Sequence, residues 1–138
     1  MKKLLIILFP LAISGCYLAN GSPNSTEFWV KDGKHISYED RQFCFEKNKS
    51  KLKKKDKERF EYLKNRYERL GYSDDGFSIM RTEYPNEYQE YLYLSGLIPS
   101  NAHCYYELGY KFRPPIYWCL AQDGDNTRIC TENMKYRN

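Results

Sequence analysis

The chain has 138 residues, a formal net charge of +4 and a mean hydropathy of −0.80, with 29% of its residues charged. Such a length holds one domain and not two, and so polar a composition leaves only a modest core. The apolar residues are unevenly spread, however. Lys2 and Lys3 precede an uninterrupted apolar run from Leu4 to Ile13, and Ser14, Gly15 and Cys16 follow. This is the layout of a secretion signal. Its ten-residue apolar run is too short to span a bilayer permanently, which takes about 20 residues. A short buried helix would not place lysines, apolar residues and a cysteine in that order at the extreme N-terminus.

Ile13-Ser14-Gly15-Cys16 resembles the lipobox of bacterial lipoproteins. The resemblance implies that residues 1–15 are a signal peptide removed by lipoprotein signal peptidase. Cys16 then becomes the first residue, carrying a diacylglyceryl group on sulfur and an acyl chain on nitrogen. One chain anchors a protein only marginally, whereas two or three hold it at the membrane effectively permanently. The implied location is the bacterial cell envelope. Tyr17 stands where an Asp would resemble an inner-membrane retention signal, so the outer membrane is favoured in a Gram-negative host. Removing fifteen residues from 138 leaves 123, and the charge falls from +4 to +2 as Lys2 and Lys3 leave.

Residues 16–26 read as a lipidated terminus and flexible tether, because Ala19 to Thr26 is rich in Gly, Ser, Pro and Asn without apolar periodicity. Residues 27–138 read as one mainly α, disulfide-stapled domain with short extended segments. An extended piece at Phe28, Trp29 and Val30 leads to a turn at Asp32-Gly33. Ser37 and Asp40 match a capping box with Asp in place of Glu, and the pattern predicts one helix from there to Leu70. Along it, Phe45, Leu52, Phe60, Leu63, Tyr67 and Leu70 form one thin apolar stripe. Gly71 and Tyr72 close it. A second helical region runs from about Asp74 to Ser95 with a break at Pro85, and Tyr84, Tyr88, Tyr91 and Leu92 share a face of it. A third short helix begins near Ser100 and stops at Leu108-Gly109-Tyr110. Pro114-Pro115 then predicts an extended Ile116-Tyr117-Trp118. Residues 123–126 form a turn, and a last helical turn or two begins at Thr127.

Besides Cys16 the chain has Cys44, Cys104, Cys119 and Cys130. An even number in an oxidising compartment implies two disulfides, and sequence alone leaves three connectivities open. Trp29-x-Lys31-x-Gly33, Asp40-x-x-x-Cys44 and Cys104-x-x-x-Leu108-Gly109-Tyr110 resemble a pattern recurring in small uncharacterised envelope lipoproteins of Gram-negative bacteria. By that resemblance Cys44 pairs with Cys104, which leaves Cys119 for Cys130. The match covers two ends of a region with a long insertion between them, and it brings no known activity.

Little points to catalysis. His35 and His103 are the only histidines; His103 and Cys104 are adjacent and so point about 100° apart on a helix, and a disulfide would consume the thiol. The cysteines lack a short C-x-x-C chelate, so no metal is expected. Asp123-x-Asp125-x-Thr127 starts like a calcium loop but has Arg128 where the turn glycine belongs and Met134 where the bidentate Glu belongs. No cofactor is expected beyond the lipid on Cys16. From Glu46 to Arg69 there are eleven Lys/Arg against five Asp/Glu. Lys49, Lys51, Lys53, Lys54, Lys55 and Lys57 form either a solvated face or a contact for an anionic surface or acidic partner. Nucleic acid does not suit the compartment. Fourteen tyrosines are too many to face inward, and exposed aromatic surface suits a protein or glycan partner. The sequence therefore predicts a protein that is no enzyme and acts by binding, as an accessory or interaction protein of the envelope. The alternative is an inhibitor or immunity lipoprotein that blocks a secreted toxin or lytic enzyme.

Overall fold

The computed structural model describes residues 23–70, 75–121 and 124–138. The signal segment, Cys16, the tether as far as residue 22, the Gly71-Tyr72 stop and Asp123 lie outside the described residues. The fold is mainly α, with seven helices, one three-stranded sheet and two disulfides among the described residues. All four downstream cysteines are bonded, in the pairs Cys44–Cys104 and Cys119–Cys130. The described residues divide into two compact units, one formed by those of 23–40 together with 102–138, the other by those of 41–101.

In the first unit, defined structure begins earlier than Phe28. The Asn24 side chain accepts the Thr26 amide at 3.1 Å and caps a 3₁₀ turn, Ser25–Phe28. Strands β1 (Trp29–Lys31) and β2 (Lys34–His35) follow, joined by Asp32 and Gly33 at φ of 50° and 74°. A two-residue hairpin needs both central residues left-handed, which Asp tolerates and Gly takes freely. Strand β3 (Lys111–Phe112) pairs antiparallel with the other edge of β1, giving the order β2-β1-β3 with Trp29 opposite Phe112. The buried Trp29 ring is surrounded by Tyr105 and Phe112, both at 5.3 Å, and Tyr136 at 5.7 Å.

The chain enters helix α1 (Tyr38–Lys49) through half of the expected capping box: the Asp40 amide donates to Ser37 Oγ at 3.1 Å. The Asp40 carboxylate, one methylene shorter than Glu, accepts from the Tyr110 hydroxyl. Further on, the Gly-aromatic stop forms as expected. With α1 as the first helix, α5 (Ala102–Glu107) ends where Gly109 takes φ 92°, its amide donating to Tyr106 O and that of Tyr110 to Tyr105 O. This is the Schellman arrangement that satisfies a helix's last carbonyls.

The predicted extended run at Ile116 is instead a helix, α6 (Ile116–Leu120). Pro115 at φ −69° and ψ 150° brings the chain in extended, and its carbonyl accepts from the Trp118 and Cys119 amides. The proline pair thus starts a helix here, because Pro is disfavoured inside a helix but not at its entrance. Helix α7 (Asn126–Asn133) and a 3₁₀ turn at Met134–Tyr136 complete the unit. The Cys119–Cys130 bridge spans a Cα separation of 5.7 Å, and Thr127 Oγ1 donates to Cys119 O at 2.7 Å. Both bonds tie α6 to α7.

The second unit corrects the prediction of one helix to Leu70, because the chain breaks at residues 50–53 and restarts as α2 (Lys54–Leu70). The Ser50 hydroxyl donates to Lys47 O at 2.7 Å, and the Lys51 and Leu52 amides turn to carbonyls three residues back. Such local bonds compete with the helical ladder. Lys49 also pairs with Glu61, which on one straight helix would sit about 18 Å away at 1.5 Å per residue. Helices α3 (Asp75–Glu83) and α4 (Pro85–Gly96) follow, separated at Pro85 as expected. Pro85 occupies the first position of α4, where its missing N–H costs nothing.

Phe60 and Leu63 from α2, Met80 from α3 and Leu94 from α4 form the buried core, flanked by Phe45, Tyr67, Tyr84, Tyr88 and Tyr91. Phe60 stacks on Tyr91 with centroids 5.5 Å apart. Two members of the expected faces fall elsewhere: Leu52 lies in the break, and Leu92 is exposed. The stripe of Tyr84, Tyr88 and Tyr91 continues at helical spacing to Leu94, while Leu92 is rotated about 100° from Tyr91.

Candidate functional site

The six lysines singled out by their charge do not act as one group. Lys49 is 4% exposed and turned inward, donating to Glu46 Oε1 at 2.6 Å and pairing with Glu61. Burial opposes its charge, but hydrogen bonds to Glu46 and Glu61 outweigh that and hold its pKa above the ordinary lysine value. Lys49 therefore leaves the set that could meet an anionic surface. Lys51 donates to Asn48 Oδ1 at 2.7 Å. The Asn48 amide nitrogen in turn donates to Asn101 Oδ1 at 2.8 Å and Ser100 O at 3.2 Å, which fixes the end of α1. Lys53, Lys54, Lys55 and Lys57 are exposed at the start of α2, and Lys54 is 3.9 Å from Glu58.

Charge patterning alone did not single out the arginines further along α2. Arg59 grips Glu90 with a two-pronged fork, Nε to Oε1 at 3.0 Å and Nη2 to Oε2 at 2.7 Å. Those bonds hold the Glu90 carboxyl below the usual carboxylate range and raise the Arg59 pKa. Arg66 Nε lies 2.6 Å from Glu87 Oε2 and its guanidinium 4.6 Å from the Tyr84 ring centroid. Tyr62, Arg66, Arg69 and Leu70 line a hollow of about 170 Å³. The spacing of Arg59, Tyr62, Arg66 and Arg69 at three and four residues was a legible sign that one α2 face carries cations with an aromatic. On α4 and just beyond it, Leu92, Tyr93 and Leu97 are exposed, Tyr93 by 67%. An aromatic side chain offers rigid contact area with a polar tip, and the cations of α2 suit acidic groups.

In the first unit, the tryptophan, glycine and aromatic motif residues are partners of one another. Lys31 Nζ donates to Leu108 O at 2.8 Å, its stem runs 3.3 Å from where a Gly109 Cβ would stand, and its charge lies 5.8 Å from the Tyr110 ring centroid. Lys111 sits 4.2 Å over the Tyr106 ring and donates to Asn138 O at 2.7 Å. These side chains build a scaffold. No family model, no curated protein and no solved structure matches the chain.

His35 Nδ1 is 2.6 Å from Glu27 O, which can only accept, so that nitrogen carries the proton. His103 lies 3.3 Å from Glu107 on the α5 surface. Asp125, from the calcium-like stretch, spends its carboxylate on Arg128 at 3.0 Å. Among the described residues no helix is long and apolar enough to cross a membrane.

Proposed function

We propose that the chain is a lipid-anchored bacterial envelope protein that acts by binding and not by catalysis, as an accessory or interaction protein. The observation that carries the binding half is the exposed Tyr93 and Leu97 on the second unit. Four residues apart, they face the same way. Large exposed side chains that lie together on a polar protein are candidate recognition surfaces. The same unit also exposes the lysines at the start of α2 and holds the Tyr62–Arg66–Arg69 hollow, cationic features suited to an acidic protein or glycan. Two disulfides support the envelope half, since such bonds persist in oxidising compartments, and the lipobox at Cys16 supplies the anchor.

The test is crosslinking and pull-down of the lipidated protein from its own membranes, beside a variant carrying Tyr93→Ser and Leu97→Ser. The reading expects a resident envelope partner that the variant loses. Equal recovery by both forms would remove this surface from the account. One stoichiometric partner with toxin or lytic activity would turn the reading to an inhibitor.

A further inference from the structure

The chain leading back towards Cys16 meets the described structure beside α6. Trp118 Nε1 donates to Pro23 O at 3.0 Å, and the Phe28 and Trp118 rings pack with centroids 4.7 Å apart. Trp118 is thereby 1% exposed, whereas Ile116, Tyr117 and Leu120 on the same helix are 68%, 60% and 68% exposed. Ile116 and Leu120 are four residues apart and share a face. The helix is about 8 Å long at 1.5 Å per residue, so all three side chains sit within one or two turns of the pinned tryptophan. The Pro114-Pro115 entrance and the Cys119–Cys130 bridge fix the helix from both sides. Arg113, exposed, stands just before it.

We propose that the exposed face of α6, made of Ile116, Tyr117 and Leu120, docks on the bilayer that holds the Cys16 lipid. This rests on the lipid-anchor reading above. Pro23 is seven residues from Cys16, so whatever path those residues take, the anchor lies within about 25 Å of Pro23. Three side chains would bind a membrane weakly from solution, but a covalent anchor that close keeps their local concentration high, and a weak contact then suffices. The chemistry matches the layer they would enter. Isoleucine and leucine suit the headgroup–acyl boundary, and tyrosine sits at headgroup level. The face would orient the first unit on the membrane.

The test uses the lipidated protein with Leu120→Trp, an exposed position, in vesicles of phosphatidylethanolamine and phosphatidylglycerol with and without brominated acyl chains. The native Trp29 and Trp118 are buried and provide the baseline. The added indole should emit at shorter wavelength and lose roughly half its intensity on brominated lipid, as befits a side chain about 5–10 Å deep. Adding Ile116→Asp should return its emission towards the aqueous wavelength. An aqueous, unquenched signal from protein whose Cys16 lipid is verified by mass spectrometry would overturn the docking face alone. A blue shift without quenching by bromine would mean that protein covers the face, which also overturns it. Absence of lipid on Cys16 would overturn the anchor reading and this proposal with it.

Discussion

The Tyr110 hydroxyl donates to Asp40 Oδ2 at 2.5 Å, joining the first turn of α1 to the residue after the Gly109 stop, 70 positions later. This bond is the largest reason the Tyr110 pKa lies above the ordinary tyrosine value, with burial adding to it. Tyr110→Phe should destabilise the protein by about 1.5–3 kcal/mol at neutral pH, the usual range for a hydrogen bond to a charged group. A pKa raised on folding gives stability that is complete below the unfolded value near 10 and is lost as pH rises through the folded value. Urea unfolding of both forms at pH 7 and at pH 11 should therefore show the gap shrinking at the alkaline end. A gap that stays constant would deny the hydroxyl this role.

That contact shows how far the sequence could be read. Ser37 and Asp40 announce a helix start and Leu108-Gly109-Tyr110 a helix stop, and both are where local chemistry puts them. The capping box named Glu-like behaviour for Asp40, but its carboxylate serves a tyrosine 70 residues away, which no local pattern encodes. The α1–α2 break was hidden for the same reason. Its causes are Ser50 bonding Lys47 and Lys49 turning inward to Glu61, whereas the stripe of Phe45, Phe60 and Leu63 reads the same across one helix or two. Pro114-Pro115 predicts a barrier from sequence but acts as an entrance, because proline's fixed φ serves both. For the candidate surface, the lysines and the tyrosine excess are legible in composition alone. Which lysine is buried depends on Glu61 across the break, and Tyr93 could be separated from the core tyrosines only once the stripe was seen to continue to Leu94.

Gly109 and Gly96 should respond oppositely to alanine. Gly109 has φ 92°, and a Cβ there would meet Lys31 Cε at 3.3 Å, so Gly109→Ala strains the backbone and crowds the lysine stem that reaches Leu108. A loss of about 1–3 kcal/mol is expected. Gly96 ends α4 with nothing within 4 Å of its would-be Cβ. Gly96→Ala should raise stability by about 0.5–1 kcal/mol through helix propensity. Thermal melts of the two variants check the contrast, and similar shifts of the same sign would refute it.

Lys49→Met keeps most of the stem's volume but leaves Glu46 and Glu61 beside an uncharged side chain. Breaking one partner out of a buried pair costs 3–5 kcal/mol where both are enclosed. The Glu46 side chain is 54% exposed and that of Glu61 34%, so water recovers part of this and about 2 kcal/mol is expected here. Lys53→Met, at an exposed position, should change stability by less than about 0.5 kcal/mol. Equal losses at the two positions, measured by urea unfolding, would contradict the inward placement of Lys49.

The two bridges close loops of different length. Cys119 and Cys130 are 11 residues apart, and chain entropy assigns about 3 kcal/mol to such a loop; the Cys44–Cys104 loop spans 60 residues and warrants about 4 kcal/mol. Replacing either pair by alanine should therefore destabilise the protein severely, the longer loop somewhat more. Non-reducing peptide mapping should recover only these two linkages. A peptide linking Cys44 to Cys119 or Cys130 would overturn the pairing.

Lys53, Lys54, Lys55 and Lys57 are what remains of the basic cluster once Lys49 is turned inward and Lys51 is engaged with Asn48. Their charges lie in solvent, where they either hydrate or meet an anionic surface. In the second case, attraction must weaken as salt rises, because screening acts over about 8 Å at physiological strength. A lysine held near an anionic membrane contributes about 1 kcal/mol, so changing all four to glutamine should weaken binding by well over tenfold at low salt. The measurement compares a soluble form lacking residues 1–18 with its four-glutamine variant on phosphatidylglycerol vesicles and on lipopolysaccharide, at low and high salt. The parent is expected to bind at low salt, to lose binding at high salt, and to exceed the variant only in the first condition. Since the lipid would already fix location, a positive result would assign these lysines to orientation or partner choice. Equal, salt-independent binding by both forms would leave them as a solvated helix start and rest the binding reading on Tyr93 and Leu97.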